Sequence, residues 1–519
     1  MKILLNNDMN RFYYNRNWKK DYRILRKVGN LWFKHGFDFR IKVPLRISTL
    51  VYIMLFTIIG TGQELNLKAI TTFNVGTTIG QLRAVPVNLS YKEKAILIVY
   101  SEEKSVDPYV KMFFLPKNTL KLALYSYEGK LLWKKELPKS LLPGHWFSPV
   151  YPLDMDGDGM DEIYMTNNTD LDHPFNASAY VLEKLNVRTG ETLMTKPWKP
   201  LGINLRLSHQ FRYYVFGGQV NGKSVLVTAT GTYSDMRLES WDSNLDLRWE
   251  LEIPKGKDGA RASHMTPVFD LDWDGNDEFM WGERCISMDT GKYKFIADED
   301  VYWGHSDIIQ PVWDEGKDKW YIYTCRETGG FSPRVVLFDG NGERVWSDLE
   351  EGHMDMGWCA RLGTNGEKVS MSIRIGKKVA GSNGFYRSNN ESFIYDTFSG
   401  KKIDPPYPVF STLPVDFNGD GIHELVCAYG EQGDGKIYNN NGKVIGDLGK
   451  EYHIAIGSKF MDFSGEQILV YSPEGNVKIY RDLNANDNKK ANSRYSSSFY
   501  ERNQRLTASG SNIINLGGF

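Results

Sequence analysis

Short apolar runs, separated by turns rich in Gly, Asp, Asn and Pro, recur along this chain from about residue 70 onward. Six open in the same way, with a histidine at the mouth: His145-Trp-Phe-Ser-Pro-Val, His209-Gln-Phe, His264-Met-Thr-Pro-Val, His305-Ser-Asp-Ile-Ile, His353-Met-Asp-Met-Gly-Trp and His453-Ile-Ala-Ile. Successive steps are 64, 55, 41, 48 and 100 residues, and the last accommodates a skipped copy near Ser411. After several of these runs comes an acidic turn and a second apolar run, as in Val268-Phe-Asp-Leu-Asp-Trp-Asp-Gly-Asn-Asp-Glu-Phe. A later Gly- or Asn-bearing turn joins two more β-rich stretches, as in Tyr127 to Trp133, Trp241 to Trp249 and Phe338 to Trp346. Four short strands per unit of roughly 40–65 residues predict an all-β chain folded as a single β-propeller. Innermost strands are expected near Ala84, His145, His209, His264, His305, His353, Ser411 and His453. That makes eight four-stranded blades, or seven if one candidate is an insertion. The last unit lacks an outer strand, which Leu65 to Val75 can supply from the N-terminal side, closing the ring.

Composition adds limits. Lys plus Arg (63) nearly cancels Asp plus Glu (64), so no global basic field favours nucleic acid. Aromatics at 13%, with 14 tryptophans, suit strands and sugar-stacking surfaces. Residues 1–62 differ from the rest: basic residues Arg40, Lys42 and Arg46 precede an apolar stretch from Ile47 to Gly60, followed by small residues. That is the order of a secretory signal, and the stretch is short for a membrane span. A mature chain from about Gln63 is expected, secreted, periplasmic or at the cell surface, monomeric and free of the membrane once the signal is removed. The propeller is assigned to residues 63–505. The polar segment from 482 is expected to pack on the outside or to be partly disordered, with residues 506–519 as a tail. Cys285, Cys325, Cys359 and Cys427 show no disulfide-framework spacing.

Candidate chemistry clusters at the histidine end. Six equivalent histidines are more than independent turns would choose, and two chemistries fit them. His264, Cys285 and His305 are ligand types for zinc; alternatively the imidazoles serve as acid or base. Arg261, Arg326 and Arg361 accompany the same face and match carboxylates. Tyr233 and Tyr302 stand close in sequence to these segments. The loop Asp154-Met-Asp156-Gly-Asp158-Gly-Met-Asp161 offers oxygen ligands for a structural calcium, with weaker copies at Asp270 and Asp416; solvated turns are the plain alternative. No serine-nucleophile elbow, phosphate-binding glycine loop or His-Glu-x-x-His motif occurs, which speaks against nucleophilic hydrolysis.

Four motifs carry a family resemblance: Gly259-Ala-Arg-Ala-Ser-His-Met-Thr-Pro-Val, Trp281-Gly-Glu-Arg-Cys-Ile, Gly304-His-Ser-Asp-Ile-Ile-Gln-Pro-Val and Gly352-His-Met-Asp-Met-Gly-Trp. From about residue 70 to 505 the chain resembles the β-propeller polysaccharide lyases. It looks most like those cleaving ulvan, with rhamnogalacturonan lyases the next relatives. Ulvan-type relatives have seven blades, against the eight counted from the repeat. The resemblance implies β-elimination on an acidic polysaccharide, ending in an unsaturated uronate. It implies carboxylate neutralisation by Arg261, and proton transfer by His145 and Tyr233 in an order left open, with Tyr302 as substitute. Arg326, Tyr302, His209, His353 and Asn167 are expected to bind substrate. Where the family often has a second histidine, this chain reads Asn167-Asn168. Zinc at His264, Cys285 and His305 would be structural. A glycan-binding propeller without activity is the alternative, since fold does not fix function.

Overall fold

The computed structural model describes residues 64–509 except 105–115, 145, 203–206, 328–331, 377, 382–383, 388–389 and 428–432. The leader, its apolar stretch, His145 and residues 510–519 therefore lie outside the described residues.

Eight antiparallel sheets follow one another along the chain. Their first strands are Gln81–Asn88, Val150–Leu153, Tyr213–Val220, Val268–Phe269, Ser306–Asp314, Met354–Arg361, Leu413–Val415 and His453–Ser458. First strands of most neighbouring blades lie against one another, as strands lining an axis do. Each first strand begins within about five residues of one of the expected starts, three before Ala84 in the first blade and at or after the others, and the count is eight. Strands near the axis are flanked by blades on both faces, and their sequences are accordingly apolar without alternation. Lys94–Ser101 is buried at every position after the first, whereas the outer strand Leu131–Glu136 is exposed at alternate positions. The sixth blade has three strands, with a single bridge from Tyr395 to Lys402 marking its outer edge and a hairpin, Lys378–Gly381 with Gly384–Arg387, inserted before its third strand.

The ring closes as the repeat predicted. Leu67–Asn74 pairs antiparallel with Asn476–Asp482 and becomes the outer strand of the eighth blade. Beneath it, Ala84, Ile96 and Ile98 of the first blade share one buried cluster with Ala455, Ile456 and Leu469 of the eighth.

A tryptophan staple repeats between blades. Trp133, Trp249 and Trp346, on outer strands of blades one, three and five, donate their indole N–H to the carbonyls of Val187, Met288 and Thr397 in the next blade. Each ring lies on a turn glycine, where a Cβ at Gly190, Gly291 or Gly400 would come within 2.6–2.8 Å of it. A larger residue at these turns would displace the ring.

The C-terminal segment departs from expectation. It is folded against the inner strands, with helices Lys489–Tyr495 and Ser498–Gln504 capped by the side chains of Asn488 and Ser497. Asn503 exchanges two hydrogen bonds with the backbone of Val268, and Thr507 donates to Ala84 O at 2.6 Å. Arg494, Arg502 and Arg505 pair with Glu466, Asp277 and Asp161, carboxylates rooted in three different blades. Leu506 and Ala508 are fully buried, so this segment is core and not an external tail.

Candidate functional site at the histidine end

Backbone geometry brings the histidines together. Ser263 and Ser306 form a parallel bridge, and Arg261 N–H donates to Gly304 O at 2.8 Å. These contacts set His264 against His305 with ring centroids 4.6 Å apart. The register of the fifth blade slips between Ser306 and Ile308, and that of the sixth between Met354 and Met356. Such bulges re-aim a side chain. The residues in the slips are Asp307 and Asp355, and both carboxylates meet the imidazoles.

Asp307 is the hub. Its Oδ1 lies 3.1 Å from His264 Nε2 and 3.2 Å from His305 Nε2, and its Oδ2 lies 3.4 Å from His353 Nε2. His353 Nε2 is also 3.1 Å from Asp355 and 3.6 Å from Glu327. Glu327 accepts from the Tyr233 hydroxyl at 3.3 Å. The Tyr233 ring sits 4.7 Å from that of His305 and 5.5 Å from that of His209, and the buried Arg212 guanidinium lies 5.1 Å from it. Arg212 also covers Trp146 at 4.3 Å, whose indole N–H donates to His264 Nδ1 at 3.0 Å.

The electrostatics follow from burial and this one carboxylate. Burial pushes the Asp307 carboxyl up, but hydrogen bonds from His264, His305 and His353 outweigh it and hold the group well below the usual carboxylate range. Burial likewise lowers His353, yet Asp307 and Asp355 raise it to about 10, leaving an imidazolium at neutral pH. Burial dominates at His264, which falls to about 4 and stays neutral. Glu327 is raised by burial and by the charge of Asp307. Burial also lifts the Tyr233 phenol well above its ordinary value, so it carries its proton.

His264, His305 and Asp307 form one group able to hold a metal, and Asp307, Glu327 and His353 form another. A tetrahedral zinc with bonds of about 2.0–2.1 Å places its ligand atoms about 3.3 Å apart, which matches the spacing around Asp307. His305 Nδ1 is buried without a hydrogen-bond partner, an atom that a metal could take. Because His264 Nδ1 accepts from Trp146, its neutral tautomer carries a proton on Nε2. The atoms left to a metal are those of His305, Asp307 and His353, with Glu327 beside them.

Several sequence-predicted residues fall elsewhere. Cys285 is not part of this group: it sits on the third strand of its blade, packed among Phe269, Met280 and Ile309, and burial pushes its thiol well up. Arg261 is buried, and its guanidinium donates to the carbonyls of Ser234, Pro254, Lys257 and Gly259, so it braces a loop instead of facing a carboxylate. Arg326 is fully buried and forked on Glu283 at 2.8 and 2.5 Å, with Asp298 at 2.7 Å. Tyr302 lies under Arg326 at 3.9 Å and donates to His305 O at 2.6 Å, buried and out of reach. Asn167 donates to Glu183 at 2.6 Å on the second strand of its blade. Tyr233, His209, His264, His305 and His353 are the residues that do converge.

At the acidic turn, Asp154, Asp156 and Asp158 lie within ligand reach of one another. Asp154 accepts from the N–H of Gly157 and Gly159, at 2.7 and 2.8 Å. Asp161 leaves the set: it is buried, accepting from Asn88 N–H at 2.7 Å and from Arg505 at 2.7 Å. In the copy at Asp270, the Lys294 ammonium already lies between Asp272 and Glu278, at 2.8 and 3.2 Å.

Asp307, Asp355, Glu327, Arg212 and Trp146 were missed. For the first two a signal exists, since His305-Ser-Asp307 and His353-Met-Asp355 repeat one His-x-Asp spacing.

No family model matches the chain. Two curated relatives from Bacillus subtilis, the rhamnogalacturonan exolyase YesX and the rhamnogalacturonan endolyase YesW, are each 25% identical, over 342 and 324 residues. These spans cover 58% and 54% of this chain and 52% and 51% of the relatives, so the chain spans about half the length of the curated relatives it matches. The solved structure of YesX superposes with a TM-score of 0.67 at 18% identity, covering 86% of this chain and 80% of that one. A Bacillus licheniformis rhamnogalacturonan lyase gives 0.68 at 16%, covering 88% and 82%. The fold is shared with rhamnogalacturonan lyases. These relatives are of the second lyase type expected from the motifs, not the ulvan type.

Proposed function

We propose that this chain is an exported polysaccharide lyase acting on a rhamnogalacturonan-type polymer by β-elimination. The observation that carries the reading is the Tyr233 hydroxyl, 3.3 Å from Glu327 with its ring 4.7 Å from that of His305, at the histidine end of a propeller that shares its fold with rhamnogalacturonan lyases. A base removes the proton at C5 of the uronate, the C4–O4 bond breaks, a C4–C5 double bond forms, and the leaving oxygen takes a proton. Burial keeps Tyr233 protonated, which makes it the acid and leaves the base to His145. Neutralising the uronate carboxylate stabilises the enolate-like intermediate. With Arg261 and Arg326 used structurally, that role falls to the charge of His353 and its neighbours. A zinc held by His305, Asp307 and His353 would displace the His353 proton and supply the positive charge in its place; calcium at Asp154, Asp156 and Asp158 would be structural.

The test is incubation with rhamnogalacturonan and, in parallel, ulvan, following the ultraviolet absorbance of unsaturated uronates. A rise on rhamnogalacturonan is expected. No rise on either, or on other uronate polymers, would overturn the assignment. Metal analysis of the purified protein reads zinc and calcium directly.

A further inference from the structure

Three acidic turns at the far end of the inner strands share one backbone. Asp154-Met-Asp-Gly157-Asp-Gly159, Asp270-Leu-Asp-Trp273-Asp-Gly275 and Asp416-Phe-Asn-Gly419-Asp-Gly421 align residue for residue. The fourth position is left-handed in all three, with φ of 81° at Gly157, 60° at Trp273 and 76° at Gly419. Glycine adopts that conformation freely, whereas a bulky side chain is strained there. Two turns use glycine and one uses the largest side chain available. Trp273 does not retire into the core: it is 62% exposed. Its ring stands edge-on to the half-buried Trp313 at 5.0 Å and parallel to Trp320 at 6.2 Å. Trp320 is anchored by its indole N–H on Asp270 O at 3.0 Å, so the platform rests on rigid strands. Strained residues persist mainly where they are used.

We propose that Trp273, backed by Trp313, is a stacking platform for a neutral pyranose of the polysaccharide, separate from the histidine end. Ser306 opens and Trp313 nearly closes the inner strand Ser306–Asp314, seven residues apart, which is about 23 Å. The platform therefore cannot belong to the subsites around His305. Carbohydrate is the occupant that fits: the apolar face of a sugar ring stacks on indole while its hydroxyls reach polar neighbours. Asp270, Asp272 and Asp274 flank Trp273 along the turn, and with only Lys294 set against them the turn keeps a net negative charge, which disfavours a uronate and favours an uncharged sugar such as the rhamnosyl units of the proposed substrate. The inference rests on the lyase reading for the identity of the polymer.

The experiment compares wild type with Trp273→Gly in affinity electrophoresis on gels containing rhamnogalacturonan or polygalacturonate, together with thermal melts and turnover on short oligosaccharides. Trp273→Gly should bind rhamnogalacturonan about five- to tenfold more weakly. Its retention on polygalacturonate and its turnover of short substrates should be unchanged. Its melting temperature should be equal or higher, because glycine suits the left-handed turn. Unchanged retention on rhamnogalacturonan overturns the platform, and with a lowered melting temperature it marks Trp273 as a lid over Trp320. Equal loss on both polymers overturns the neutral-sugar assignment. Wild type that cleaves the polymer while Trp273→Gly binds normally sinks only the platform. Wild type that neither binds nor cleaves either polymer sinks both readings.

Discussion

The two ends of the propeller axis both bury charge, but they arrange it differently. At the far end, Asp161, Asp277 and Glu466 each meet their own guanidinium from one continuous C-terminal segment. At the histidine end a single carboxylate, Asp307, serves three imidazoles. One-to-one pairing compensates buried charge and fastens blades together. Shared pairing gathers several ligand-type atoms on one carboxylate, a set that something not made of protein can take up. The first is a clamp and the second a site, although both are built from the same buried residue types.

Removing one group from each end sharpens that contrast. The largest effect is expected from Tyr233→Phe, which keeps the ring and deletes the proton. It should lower turnover on rhamnogalacturonan by about 10²–10⁴-fold with little change in the melting temperature. Steady-state kinetics beside a thermal melt checks both halves, and turnover within a few-fold of wild type removes Tyr233 from the reaction. At the clamp, Arg505→Ala leaves Asp161 buried and unpaired, a loss of about 3–5 kcal/mol in denaturant unfolding. The double variant with Asp161→Asn should recover part of it. Arg326→Ala belongs with the clamp despite its sequence neighbours: Glu283 would lose its guanidinium in the core and keep only the Ser306 and Thr324 hydroxyls, and stability should fall by a similar amount.

The contrast also explains what could be read beforehand. Inner strands were legible because histidine, proline and acidic turns punctuate each blade, and ring closure because Leu67–Asn74 alternates as an edge strand does. The histidine end was half legible. Histidines mark the turns by residue type, but Asp307 and Asp355 reach the site through bulges, and register slips leave little trace in composition. Arg261 and Arg326 looked like carboxylate binders because an arginine's type does not disclose what it already holds. The C-terminal clamp read as a tail because its polar residues find partners hundreds of positions away. Its caps, Asn488 and Ser497, were local signals for the two helices.

The proposed zinc would separate the ends at the next level. Chelation should lower the melting temperature of wild type. A site filled at 100-fold over its dissociation constant contributes about 2.7 kcal/mol. His305→Ala should lose the bound metal in elemental analysis and become insensitive to chelator, while Arg505→Ala should keep both. A chelator effect that survives in His305→Ala would move the metal to another place, with the Asp154 turn first in line.

The smallest effect concerns pH, and it belongs to the clamp. Burial pushes the Asp416 carboxyl up to about 7, against the lowering influence of Arg494; Glu466 and Asp420 push the same way as burial, and the Tyr495 hydroxyl donates to it at 2.8 Å. A carboxyl whose folded value is raised binds its proton more tightly in the folded chain. Its contribution is therefore complete below the unfolded value of about 3.9 and is lost as pH rises through about 7. Between pH 6 and 8 this single group should reduce stability by about 1 kcal/mol. Asp277, also raised to about 7 by burial, acts in the same direction beside Arg502. Asp416→Asn removes the titration at the cost of one of the two oxygens that accept from Gly419 and Gly421, so its denaturation midpoint should be lower but should change less across that interval. Tyr233→Phe, at the opposite end, should retain the wild-type slope. If Asp416→Asn keeps the full slope, the titrating group is not in the clamp, and the two ends are electrostatically less distinct than their geometry implies.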